Sequence, residues 1–162
     1  MQRLAPWCYV VCLLPVLAGC SPKTKPAMVQ VNLVTYRSSQ TIADLETVLA
    51  QAGAIPAPTS RQIYGILRPA AELGIEATTL LRLWNPDAPM PPQLPALIAQ
   101  MIRLTATIIS LLPTSEATEA ALESAAKTTM RLTPEEQLVE LDRLWRALLV
   151  QIDRRLQGLG PR

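Results

Sequence analysis

Apolar positions recur at helical spacing over most of the chain. Ile42, Leu45, Val48, Leu49 and Ala52 form one face, the Ser38/Ser39/Thr41 cluster supplies N-caps, and Gly53 ahead of Ile55-Pro56 is a stop signal. A second helix is predicted over about Thr59 to Trp84, with Ile63, Ile66, Leu67, Ala70, Leu73, Ala77, Leu80, Leu81 and Trp84 inward and a kink or break near Leu67, because Pro69 removes one backbone bond. Prolines 86, 89, 91, 92 and 95 make the next stretch a stiff connection. Leu94 to Leu112 is the most apolar of these helical segments, but Gln100, Arg103, Thr107 and Ser110 fall on one polar stripe. Arg103 would cost about 2.5 to 3.5 kcal/mol at mid-bilayer, so residues 95–112 are expected to be a buried bundle helix rather than a membrane span. Ser115 opens an Ala-rich helix with Ala117, Ala121, Leu122, Ala125 and Ala126 on its small face. The last helix has the strongest start, Thr133-Pro134-Glu135-Glu136, and Leu138, Leu141, Trp145, Leu148, Leu149, Ile152 and Leu156 along one side. Asp142 and Arg146 pair on its other side, and Arg154, Arg155 and Gly158 suit its end.

Ahead of these helices the period changes. In MVQVNLVTY, Val29, Val31, Leu33 and Thr35 alternate with Gln30, Asn32 and Val34, which predicts a strand. A lone strand leaves its backbone groups unpaired unless another chain supplies a neighbour. Val29, Val31 and Leu33 are therefore candidate partner-binding residues, through strand addition to a partner's sheet or to a second copy. The other reading is an extended segment lying along the bundle surface.

The start of the chain bears on its destination. Met1-Gln2-Arg3 is a positive opening, Leu4 to Val16 is an apolar run broken by Pro6 and Pro15, and Leu17-Ala18-Gly19-Cys20 follows. This is the three-part pattern of a secretory signal, and the run is short for a membrane span. The last four residues resemble the lipobox of bacterial lipoprotein precursors. That resemblance implies recognition of Leu17, Ala18 and Gly19 by the lipoprotein signal peptidase, and covalent diacylglycerol and N-acyl lipid on Cys20. Cys8 and Cys12 would leave with the signal, so no free thiol would remain in an oxidising compartment. In the resembling proteins of double-membrane bacteria an Asp after the cysteine favours inner-membrane retention. Here the position is Ser21, which implies an outer-membrane anchor facing the periplasm. The following SPKTKPA reads as a solvated tether, with Lys23 and Lys25 near lipid headgroups or simply in solvent.

The expected architecture is all-α, a bundle of four to five helices. Residues 1–19 are the signal peptide, 20–37 the lipidated cysteine, tether and extended segment, 38–158 the bundle, and 159–162 a tail. A mature chain of this length can bury a sizeable core without a disulfide.

Composition narrows the chemistry. The chain has no His, which removes imidazole bases and the commonest zinc ligand. A net charge of +2 with no basic stripe speaks against a nucleic-acid partner. Ser124-Ala125-Ala126-Lys127 matches the S-x-x-K motif of penicillin-binding proteins and serine β-lactamases, but S-D-N and K-T-G companions are missing. Glu72/Glu76 and Glu119/Glu123 are carboxylate pairs on helix faces, read as solvated rather than as acid/base pairs for glycan hydrolysis. Trp84 and Trp145 are expected to pack in the core. No catalytic residue, metal site, small-molecule substrate or cofactor beyond the lipid is expected.

The leading expectation is a non-catalytic interaction or assembly module of the cell envelope. It is similar in outline to small helical lipoproteins that accompany secretion, conjugation or pilus machinery, such as secretin pilotins. The alternative is a phage-encoded lysis or superinfection-exclusion lipoprotein, since a Pro-containing tether followed by VQVNLVTY looks like the outer-membrane partner of spanin complexes. An envelope enzyme using Ser124, Lys127 and the Glu pairs is the third reading.

Overall fold

The stretch read as a strand is the centre of a helix. In a computed structural model, which describes residues 25–127 and 129–160, α1 runs over Lys25–Gln51 without interruption. Met28, Val29, Val31, Asn32, Leu33, Val34, Thr35, Tyr36, Ser38 and Ser39 are all buried, so this half of α1 has almost no solvent face. The reason is its place: α1 touches each of the other four helices. A helix enclosed on all sides has no polar stripe to display a 3.6-residue period. A helix also satisfies its own backbone, removing the need for a second strand. The extended segment and the 20–37/38–158 boundary are thus corrected: the described chain is helical from Lys25 onward, and Lys25, Pro26 and Ala27 of the predicted tether belong to α1. The expected signal segment with Leu17, Ala18 and Gly19, and likewise Cys20 and Lys23, lie outside the described residues, as do residues 161 and 162 of the expected tail.

The remaining helices follow the predicted order. They are α2 (Ala57–Leu83), α3 (Gln93–Ile109), α4 (Glu116–Ala126) and α5 (Pro134–Gly158), an all-α bundle with no strand among the described residues. Gly53 ends α1 in the left-handed region at φ 72°, with Gly53 N–H donating to Ala50 O and Ala54 N–H to Leu49 O, a Schellman close. The helix α2 continues through Pro69, so the expected break is absent. The carbonyl that Pro69 cannot serve belongs to Gly65, which is exposed, and water can take the vacant place. Ser115 accepts from Thr118 N–H at the start of α4. At α5, Thr133 and Glu136 form the full capping box.

Cross-links give the directions. Lys25–Trp84, Asn32–Thr78 and Thr47–Tyr64 pair α1 with α2 antiparallel. Arg68–Asp153 and the Arg61–Leu159 carbonyl contact pair α2 with α5 antiparallel, so α1 and α5 run the same way. The helix α3 packs on α2 and α1 with Leu94, Ile98, Met101, Ile102, Thr105 and Ile108 inward, and Gln100, Arg103, Thr107 and Ser110 remain exposed as one stripe. Among the described residues, no helix is long and apolar enough to cross a membrane. The short α4 lies against α1 with Thr118, Leu122 and Ala125 inward, whereas Ala117 is exposed.

Candidate functional site

Two polar layers cross the buried seam between α1, α2 and α5. In the first, Trp145 Nε1 donates to Asn32 Oδ1 (3.1 Å), Asn32 Nδ2 donates to Thr78 Oγ1 (2.8 Å), and Thr78 Oγ1 donates to Gly74 O (2.7 Å). Trp145 is fully buried and meets the edge of Tyr36 at 5.2 Å and 80°. Its ring lies on Gly74 so closely that a Cβ there would sit 2.3 Å from Trp145 Cε2. Every polar side-chain atom of the trio has a partner, and the layer fixes how three helices meet.

The second layer lies about four turns further along α1. Glu46 is fully buried, and Arg155 Nε stands 3.6 Å from its Oε2. Neither carboxylate oxygen of Glu46 nor Arg155 Nε has a hydrogen bond. Beside them, Tyr64 Oη is 3.3 Å from the Ala43 carbonyl, to which it donates, and 3.4 Å from Thr47 Oγ1. Burial pushes the Tyr64 phenol up to about 12; the Thr47 hydroxyl opposes this and the Glu46 carboxylate adds to it. Here the seam opens into a groove of about 530 Å³ lined by Thr47, Tyr64, Ala147, Val150, Gln151, Arg154 and Arg155. Val150 on its wall and Val48, next to Thr47, are exposed apolar side chains. Chemically the groove offers a hydroxyl, an amide and two guanidinium groups around an apolar strip, with the buried Tyr64 ring beneath them. Such a surface suits a polar or anionic chain segment with a small apolar side chain.

The sequence-predicted site residues fall elsewhere. Val29 and Leu33 are fully buried and Val31 nearly so, with their backbone inside α1; they cannot add to a partner's sheet, and that expectation is corrected. Lys25 is no headgroup ligand either: it is buried, its Nζ donates to Trp84 O (3.1 Å) at the C-terminus of α2, and Glu135 stands 4.0 Å away. Trp84 and Trp145 pack in the core as expected.

The possible catalytic groups are not brought together. Glu72 and Glu76 sit exposed on α2, with Glu72 3.2 Å from Arg68. Glu119 and Glu123 sit exposed on α4, where the Lys127 ammonium binds Glu123 and holds its carboxyl below the usual range. Ser124 is exposed near the end of the same helix. Among the described residues no group of three or more acidic or thiol side chains is placed to hold a metal ion.

Glu46 and Tyr64 escaped the sequence reading, though a signal existed for the first. With Ile42 and Leu49, Glu46 falls at i, i+4 and i+7 on the apolar face, so a carboxylate occupies an inward position. Comparison with protein-family models, curated proteins and solved structures gives no match to this chain.

Proposed function

We propose that this protein is a lipid-anchored, periplasm-facing lipoprotein that serves as a non-catalytic interaction or assembly module of the bacterial envelope. The observation that carries the reading is the join between motif and fold: L-A-G-C ends at Cys20 and the packed helix α1 is already present at Lys25, so at most residues 21–24 separate the acyl group from the packed domain. Such a chain delivers a folded bundle to a membrane surface. The resemblance to lipoprotein precursors and Ser21 after the cysteine favour the outer membrane. The partner, an envelope protein or a second copy, is offered the groove over Tyr64 and Thr47 rather than a free strand. The spanin-like alternative loses its motivating feature, because VQVNLVTY is part of the enclosed helix α1.

Cys20→Ser tests the anchor. It should leave an unprocessed precursor without incorporated fatty acid and absent from the outer-membrane fraction; a Cys20→Ser form that is still cleaved and still fractionates there would sink the reading. For the partner, Val150→Glu should lose a stoichiometric envelope protein or self-association that wild-type detergent extracts retain. Equal recovery from both would remove the groove from the function.

A further inference from the structure

We propose that the end of the bundle around Lys25 rests on the bilayer that carries the lipid, with Leu83, Leu132 and Val139 set into its interface. This rests on the lipoprotein reading and adds an orientation to it. From Cys20 to Lys25 is five residue steps, which at full extension span at most about 18 Å. Lys25 cannot swing away from the fold to lengthen that reach. It is buried, and its ammonium is held by the Trp84 carbonyl with Glu135 beside it, so the chain enters the bundle pinned between the end of α2 and the start of α5.

That end carries apolar side chains the core does not use. Leu83 (77% exposed) immediately precedes Trp84, Leu132 (44%) immediately precedes the Thr133 cap of α5, and Val139 (60%) lies one turn beyond Glu135. They are three of the five large apolar side chains standing exposed among the described residues. The adjoining 85–92 loop exposes Pro86, Pro89 and Pro92 and contains a single charge, Asp87. The diacylglycerol and N-acyl chains on Cys20 hold the protein to the bilayer by themselves, and apolar side chains entering the interface beside them fix which end of the bundle meets it. The groove lined by Thr47, some 20 residues along α1 from Lys25, is then held about 30 Å from that end of the bundle.

Introduced thiols read this orientation cleanly, since Cys8 and Cys12 leave with the signal and Cys20 is acylated. Leu83→Cys, Val139→Cys and Val48→Cys, each labelled with an environment-sensitive dye, are compared in the full acylated protein on phosphatidylethanolamine/phosphatidylglycerol vesicles. Dyes at 83 and 139 should be quenched several-fold more by doxyl-labelled lipid than the dye at 48, and several-fold less by aqueous iodide. Equal iodide quenching at all three sites in protein that remains vesicle-bound would overturn the orientation and leave the anchor intact. Shielding at 83 and 139 without lipid quenching, and rising with protein density, would assign this end to a second copy and also overturn it. Mass spectrometry showing no acyl group on Cys20 would instead overturn the underlying reading.

Discussion

The two polar layers between α1, α2 and α5 are built from the same three helices and completed in opposite ways. Around Trp145, an amide, a hydroxyl and an indole satisfy one another, and Gly74 gives the ring the space of a missing side chain. Around Glu46, a buried carboxylate faces a guanidinium at 3.6 Å with polar atoms unserved, next to a groove open to solvent. A closed network specifies one arrangement of helices and resists substitution. An incomplete charged one contributes little net stability, because desolvating both ions offsets their attraction. Stability is therefore concentrated at the Trp145 layer, and the Glu46 layer is free to serve recognition.

The sharpest way to break this contrast is Gly74→Ala. Its methyl would lie inside contact distance of an indole that is itself fully enclosed, so neither can move cheaply, and a loss of about 3 kcal/mol is expected from urea denaturation of the helical domain. The same substitution in a Trp145→Leu background should cost much less, a non-additivity that ties the effect to the ring. Next in size is Asn32→Leu, which leaves the buried Trp145 Nε1–H and Thr78 hydroxyl without their Asn32 partner; about 2 kcal/mol should be lost. If Asn32→Leu were neutral, the network would be incidental to the fold.

At the other layer the double change Glu46→Leu with Arg155→Met should leave stability within about 1 kcal/mol of wild type or raise it. Arg155→Met alone should be worse than the double, since it strands a buried carboxylate. A loss from the double as large as that from Asn32→Leu would erase the distinction between the layers.

How far the sequence reached depended on whether a helix has a wet face. The helix α5 was legible down to its capping box, because Leu138, Leu141, Trp145, Leu148 and Ile152 line its buried side while Glu135, Arg143 and Arg146 stay in water. The polar stripe of α3 and the Gly53 stop were legible for the same local reason. The first half of α1 was not. Its burial comes from four neighbours distant in sequence, so Val29, Val31 and Leu33 showed only that they were apolar and alternating, which suits a strand equally well. The candidate groove was legible only in part: Arg154 and Arg155 stood out as helix-end charges, but their closeness to Glu46, Thr47 and Tyr64 exists only once α1, α2 and α5 have packed.

The smallest effect at neutral pH belongs to Tyr64→Phe, and it sharpens the contrast by its pH dependence. The hydroxyl's two contacts are long, 3.3 and 3.4 Å, so its removal should cost under about 1 kcal/mol at pH 7. In the folded protein the phenol titrates near 12, against an ordinary value of 10.0, because burial and Glu46 oppose its ionisation. Between those values the unfolded chain has released the proton and the folded one has not, so stability must fall as pH rises. The contribution is complete below pH 10 and disappears on the way to 12. Tyr36, also raised by burial, adds a decline of the same sign. Tyr64→Phe should therefore flatten the alkaline limb of the stability curve without abolishing it, and Tyr64→Phe with Tyr36→Phe should flatten it further. Denaturant midpoints between pH 8 and 11, in steps of about half a unit, test this; an alkaline limb equally steep in Tyr64→Phe would mean that the phenol beside Glu46 is open to water in the folded state.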